Sequence, residues 1–220
     1  DNTIINGQCG LMMTDCNAGE IYNNNFSFNS GIGIGLYRSS RNKVMNNKID
    51  WNVRGVSYGV YYRGQDAAGI LVYEQSNENI FAFNSVTHSG DGLFLWAGQH
   101  TMDTGEGGCN DNLIYGNDFS YAPTNGVEIT FSRNRVINNI IRDCDNGIWG
   151  GFSYQTSIMN NEFSGNNTAI AIEHGQDNKI EQNTFQGDLT GIHLWSNPNM
   201  APGLGYARNR DVRSRDYQID

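Results

Sequence analysis

A repeat of 22 residues constrains this chain more than any other feature of its sequence. Between Asn110 and Trp195 one motif recurs four times: Asn-x-Ile-x-x-Asn-x-Phe or a near variant, a small polar turn, then Gly-Ile-x-Ile or Gly-Ile-x-Leu. Its second asparagine falls at Asn117, Asn139, Asn161 and Asn183, each 22 residues after the last. A fixed period in this range is the signature of a solenoid. Inside one period the apolar residues alternate with polar ones, as in Ile180 and Phe185, then Ile192 and Leu194. That is a period of two, the period of strands, and no 3.6-residue stripe accompanies it. β-Branched and aromatic residues fill the alternating positions, and Asn, Gly, Ser and Asp fill the gaps between them. Two or three short strands per repeat fit a parallel β-helix whose turns stack about 4.8 Å apart. The recurrent asparagine then has a physical reason: amides at one turn position lie above one another and hydrogen-bond along the stack.

The repeat written out as Asn178-Lys-Ile-Glu-Gln-Asn183-Thr-Phe185, followed by Gly191-Ile-His-Leu194, resembles the repeats of the NosD/CASH type, the carbohydrate-binding and sugar-hydrolase domains. The resemblance spans nearly the whole chain. It implies an all-β, single-stranded right-handed parallel β-helix (β-solenoid) of about eight rungs of ~22 residues. That handedness agrees with the rule for parallel crossovers. For function it implies a sugar-handling class and no single reaction, because the fold hosts lyases, hydrolases, epimerases, esterases, phage spikes and non-catalytic binders. It also implies an extracellular or periplasmic location.

Residues 1–220 read as one β-helix domain. Asp1–Ile4 matches Asp177–Ile180 in register and Tyr217–Asp220 matches Asn178–Glu181, so the chain reads as a segment of a longer solenoid. The ladder asparagine advances by 37 residues from Asn47 to Asn84 and by 33 from Asn84 to Asn117. Those long steps mark insertions over about 53–68 and 97–109, and an irregular loop covers 196–215. A net charge of −9 and a pI near 4.8 argue against nucleic acid, which requires a basic stripe. No apolar run reaches the 18 residues a membrane span needs. The four cysteines show no metal-ligand spacing; Cys9 and Cys16 share the first rung, where a disulfide and two free thiols fit equally. Oligomeric state is not legible.

Side chains alternate across a strand, so the residues between the inward apolar pairs point out. Reading one outward position down the repeats gives Leu71, Phe94, Glu128, Trp149, Ala171 and His193. The next gives Tyr37, Tyr73, Trp96, Thr130, Gly151, Glu173 and Trp195, and a third adds His174. An aromatic and acidic face of this kind suits a polysaccharide, because sugar rings stack on aromatic faces and carboxylates accept from hydroxyls. Tyr37, Tyr73, Trp96, Trp149 and Trp195 are the expected sugar-binding residues, joined by Asp91 and by His100 from the second insertion. Glu128 and Glu173 stand two rungs apart, a separation suited to the carboxylate pair of an inverting glycosidase. His174 and His193 are the expected assisting acid/base groups. Asp103 and Glu106 in the second insertion leave a Ca²⁺ site open. The leading expectation is a polysaccharide-binding, polysaccharide-cleaving protein of glycoside-hydrolase type. A non-catalytic binder or structural solenoid, with the aromatics covered by the insertions, is the alternative. A lyase or epimerase is the second; the outer face lacks the lysine such chemistry uses.

Overall fold

In the computed structural model, which describes residues 1–200 and 203–220, the chain coils into a parallel β-solenoid of about 8 turns with ~23 residues per turn. Eight strands form the front sheet: β1 (Cys9–Thr14), β2 (Ile32–Tyr37), β3 (Ala68–Tyr73), β4 (Asp91–Trp96), β5 (Asn125–Ile129), β6 (Asn146–Trp149), β7 (Thr168–Glu173) and β8 (Thr190–Trp195). They pair in that order, all parallel, each strand joined to its equivalent one coil later. A second sheet of eight shorter strands runs from Glu20–Tyr22 to Gln218–Ile219. The third wall is a row of bridges from Thr3 to Ile140 that becomes continuous over Ile140–Arg142, Glu162–Ser164 and Thr184–Gln186.

The core follows from the alternation. Ile34 and Leu36, Ile70 and Val72, Leu93 and Leu95, Val127 and Ile129, and Ile170 and Ile172 point inward from successive front strands and are fully buried. They meet Val44, Phe81, Ile114, Val136 and Ile158 from the second sheet in one continuous core. At the corner before the third wall stands the asparagine ladder. Asn117 donates from its backbone N–H and from Nδ2 to Asn139 Oδ1, at 2.9 and 3.0 Å, and Asn139 does the same to Asn161. A second ladder, through Asn42, Asn79, Asn112 and Asn134, crosses the opposite corner. Each rung therefore satisfies the corner backbone of its neighbour, a requirement for polar groups buried between coils.

The longer steps carry two excursions. Residues 53–67 leave the start of β3 and turn back on themselves through a Ser57–Tyr61 bridge. Residues 97–109 contain a short helix, α1 (Gln99–Thr104), and a second one, α2 (Gly205–Asn209), lies within the irregular stretch expected over 196–215. Positions 201 and 202 of that stretch lie outside the described residues. The two helices pack together, with Asn209 Nδ2 donating to the Thr104 carbonyl at 2.6 Å. All four cysteines are free: Cys9 and Cys16 are exposed, and Cys109 and Cys144 are buried. Among the described residues no helix is long and apolar enough to cross a membrane.

Candidate functional site

The strand register places the outward residues in columns. Leu71, Phe94 and Glu128 stand one above another on β3, β4 and β5, and Glu128, Trp149, Ala171 and His193 continue the column through β8. The neighbouring column begins Tyr37, Tyr73, Trp96 and ends Glu173, Trp195. Thr130 and Gly151 occupy the gap, so three large side chains are followed by two small ones. A groove of about 520 Å³ lies over that gap, lined by Trp96, Glu128, Trp149, Gly151 and Glu173 among others. It joins a smaller depression lined by Leu71, Tyr73, Phe94 and Trp96, with Asp66 at the junction. The walls are mixed: Asp66 and Ala67 of the first excursion on one edge, and on the other Met102 of the second excursion with Phe131 and Phe152 from the turns that follow β5 and β6.

The aromatic residues are not equivalent. Tyr37, Tyr73 and Trp96 stack on one another with centroids 5.0 Å apart, so most of their faces cover each other. Arg38 takes a further face of Tyr37, which lies outside the groove lining. Trp96, last of the stack, faces the gap. Trp149 leans over small Ala171 toward Trp195, at 5.6 Å between centroids. The Trp195 indole N–H donates to Glu173 Oε1 at 3.1 Å and fixes that carboxylate at the far end of the groove. His193 is exposed and stacks on Trp195 at 4.2 Å.

Glu128 is the group most altered by its surroundings. Its carboxyl is pushed up to about 8, first by burial and then by the charge of Asp91, while a hydrogen bond from Asn125 opposes the shift. Asn125 Nδ2 donates to Glu128 Oε2 at 3.0 Å. Asp91 points away from the groove lining: its Oδ1 accepts from the Thr124 hydroxyl and from the Asn125 backbone N–H at 2.9 Å. Asp91, expected among the sugar-binding residues, therefore spends its Oδ1 on protein and lies outside the groove lining. Burial also raises its carboxyl.

His174, expected as an assisting acid/base group, lies outside the groove lining. It is buried at a turn with φ 57°, its Nδ1 bonds the Val212 carbonyl at 2.7 Å, and its Nε2 accepts from the Asn197 N–H at 3.2 Å. With both ring nitrogens engaged by backbone, it anchors the tail. It continues a stack of Phe131 and Phe152, covered by Tyr206 of α2, so the idea of aromatics under the insertions applies to this column. Trp96, Trp149 and Trp195 are only half-buried. His100 is exposed on α1 and does not line the groove. Asp103 accepts from Gln99 Nε2 at 2.8 Å within the same helix, and Glu106 is exposed. Residues that sequence reasoning missed are Asp66, Met102, Asn125, Phe131 and Phe152. Asn125 had a detectable signal, since it precedes the Gly-Val-Glu-Ile strand start, and Phe131 and Phe152 had another, since they share with His174 the position after each front strand; Asp66 and Met102 come from excursions without repeat register.

Comparisons with known proteins agree with this architecture. A family model described as periplasmic copper-binding protein (NosD) matches residues 68–201, and one described as right-handed β-helix region matches residues 1–106. Among solved structures, alginate lyase from Paenibacillus sp. str. FPU-7 superposes with a TM-score of 0.57 at 12% identity, over 87% of this chain and 79% of that one. The enzymatically active domain of tailspike protein 2 of bacteriophage CBA120 gives 0.42 at 14% identity, over 99% of this chain and 41% of that one. At these identities the likeness is one of fold. No curated protein matches the chain.

Proposed function

From the premise that this chain belongs to the NosD family of right-handed β-helix proteins, we propose that its front-sheet groove binds a polysaccharide and hydrolyses it. Trp96 and Trp149 offer ring faces to successive sugars, and the small Thr130 and Gly151 leave the floor open between them. Glu128, held as the neutral acid, protonates the glycosidic oxygen as the C–O bond breaks. Glu173 takes a proton from the water that attacks the anomeric carbon from the opposite side. Two rungs, about 10 Å along the axis, separate the residues, and their side chains span the carboxyl spacing that leaves room for such a water in inverting enzymes. The observation that carries the reading is Glu128 itself. It is a carboxyl raised by burial, in an aromatic groove, facing a second carboxylate, which is how an acid role is set apart from a base role.

Neither Lys nor Arg lines the groove, which weighs against a uronate lyase, where a cation would meet the substrate carboxylate. The family description speaks of copper and of the periplasm. An extracellular or periplasmic location fits a polysaccharide-facing protein. The copper does not fit the residues here. Among the described residues no group of three or more His, Cys, Asp or Glu side chains could hold a metal ion. Burial pushes the Cys109 and Cys144 thiols up to about 12, away from the thiolate a soft metal requires. No step is routed through a metal.

The test is a screen against neutral and acidic polysaccharides that follows reducing ends and the absorbance of unsaturated products together. Reducing ends alone, lost by about 10²-fold or more in Glu128→Gln and in Glu173→Gln while binding persists, is the expected result. Unsaturated product would replace hydrolysis by a lyase. Tryptophan fluorescence that shifts with a glycan without turnover would make the protein a binder.

A further inference from the structure

A chain of side-chain amides beside Glu128 decides more than the position of that residue. Asn146 Nδ2 donates to Asn125 Oδ1 at 3.0 Å, across adjacent rungs of the front sheet. The oxygen end of the Asn125 amide is thereby engaged, so its nitrogen end is the one turned to Glu128, and it reaches Oε2 at 3.0 Å. The Asn125 backbone is fixed independently, by its N–H bond to Asp91 Oδ1 at 2.9 Å. An amide N–H can only donate, so Oε2 of Glu128 must accept. A neutral carboxyl carries a single proton, and its carbonyl oxygen is a stronger acceptor than its hydroxyl oxygen, so the bond to Oε2 favours the proton on the other oxygen, Oε1.

We propose that Asn125, clamped by Asn146 and Asp91, is a positioning residue that reserves Glu128 Oε2 as an acceptor and leaves the acidic proton on Oε1, turned to the groove. The proposal rests on the reading of Glu128 as the general acid. It assigns a task to three residues that touch no substrate. Asp91 supplies a fixed neighbouring charge one rung away, Asn125 supplies direction, and Asn146 prevents the Asn125 amide from turning over. The other ionisable groups facing Glu128 are Asp66 on the first excursion and Glu173 on β7; no cation lines the groove. The tuning of Glu128 therefore comes from within this network and from burial.

Two substitutions pull the network in opposite directions, which a merely structural role would not do. Asp91→Asn removes a neighbouring negative charge and is expected to lower the Glu128 titration midpoint by about one pH unit. Asn125→Ala removes a hydrogen bond that favours the ionised form and is expected to raise it. The measurement is a ¹³C-carboxyl NMR titration of the purified full chain, with the Glu128 signal identified by its loss in Glu128→Gln and with folding of each variant checked by circular dichroism. Midpoints that do not move, or that move in the same direction in both variants, overturn the network. Asn146→Ser is the milder variant if Asn125→Ala does not fold, and it is expected to raise the midpoint as well. On a polysaccharide that the reducing-end screen shows to be cleaved, Asn125→Ala is expected to lower kcat by about tenfold with KM held, and to move the alkaline limb of the rate profile upward. An unchanged kcat overturns the positioning role. The NMR arm needs no substrate, so a failure of the hydrolase reading and a failure of the network give different results.

Discussion

Glu128 shows how a repeat position becomes chemically distinct. Its place in the register is shared with Phe94, Trp149 and Ala171, and nothing about that place is acidic in itself. The carboxyl is raised because Trp149 and the excursions take water away and because Asp91 stands one rung below. A group whose pKa is higher in the folded than in the unfolded chain destabilises the fold as pH rises between the two values. Here the window runs from the ordinary 4.5 to about 8. Glu128→Gln has no proton to lose, so it is expected to match the wild type near pH 4 and to exceed it above pH 8 by on the order of 5 kcal/mol. Urea denaturation at pH 4, 6 and 8.5 checks this; a difference independent of pH would show that burial does not set the carboxyl.

At the scale of elements, α1 lends Met102 to one edge of the groove, and α2 packs on α1 behind it. They come from segments about 100 residues apart and meet because Gly205 offers no side chain: a Cβ there would collide with the Asp103 carbonyl. Under them Ala97, Phe131 and Tyr206 form a second apolar cluster, separate from the solenoid core. Gly205→Val is expected to undock the helices at a cost of about 1–3 kcal/mol and to leave the coil intact. Limited proteolysis is the measurement. New cleavage within 97–109 and 203–212, with the far-ultraviolet dichroism of the strands preserved, is the expected result, and uniform resistance would show that the helices tolerate the extra atoms. The tail also holds His174, so a loss of its anchoring through Val212 should accompany undocking.

For the whole molecule, stability is carried between neighbouring coils, as expected for a quasi-one-dimensional solenoid. Each inward residue packs against the same position one rung above and below. Ile148, fully buried on β6 between Val127 and Ile170, is a representative case. Ile148→Ala is expected to lower stability by about 3–4 kcal/mol, with the urea midpoint falling and the slope of the transition unchanged. A changed slope would mean that the coils on either side unfold separately.

The repeat by itself determined the parallel coil, the inward and outward residues of every front strand, and the asparagine ladder. All of these follow from local alternation and from a fixed period, which are properties of contiguous sequence. The columns bearing Trp96, Glu128, Trp149 and Glu173 were legible for the same reason. The fates of His174, Asp91 and Tyr37 were not. His174 is engaged by Val212, Asp91 by Asn125 and Thr124, and the Tyr37 face by Arg38 and Tyr73. Asp66 and Met102 of the groove wall belong to excursions that obey no period, and the Glu128 environment depends on Asp91, brought near by coiling across the second excursion. Only the tertiary structure decided these points, because burial and hydrogen-bond partnership arise between segments whose separation in sequence carries no pattern.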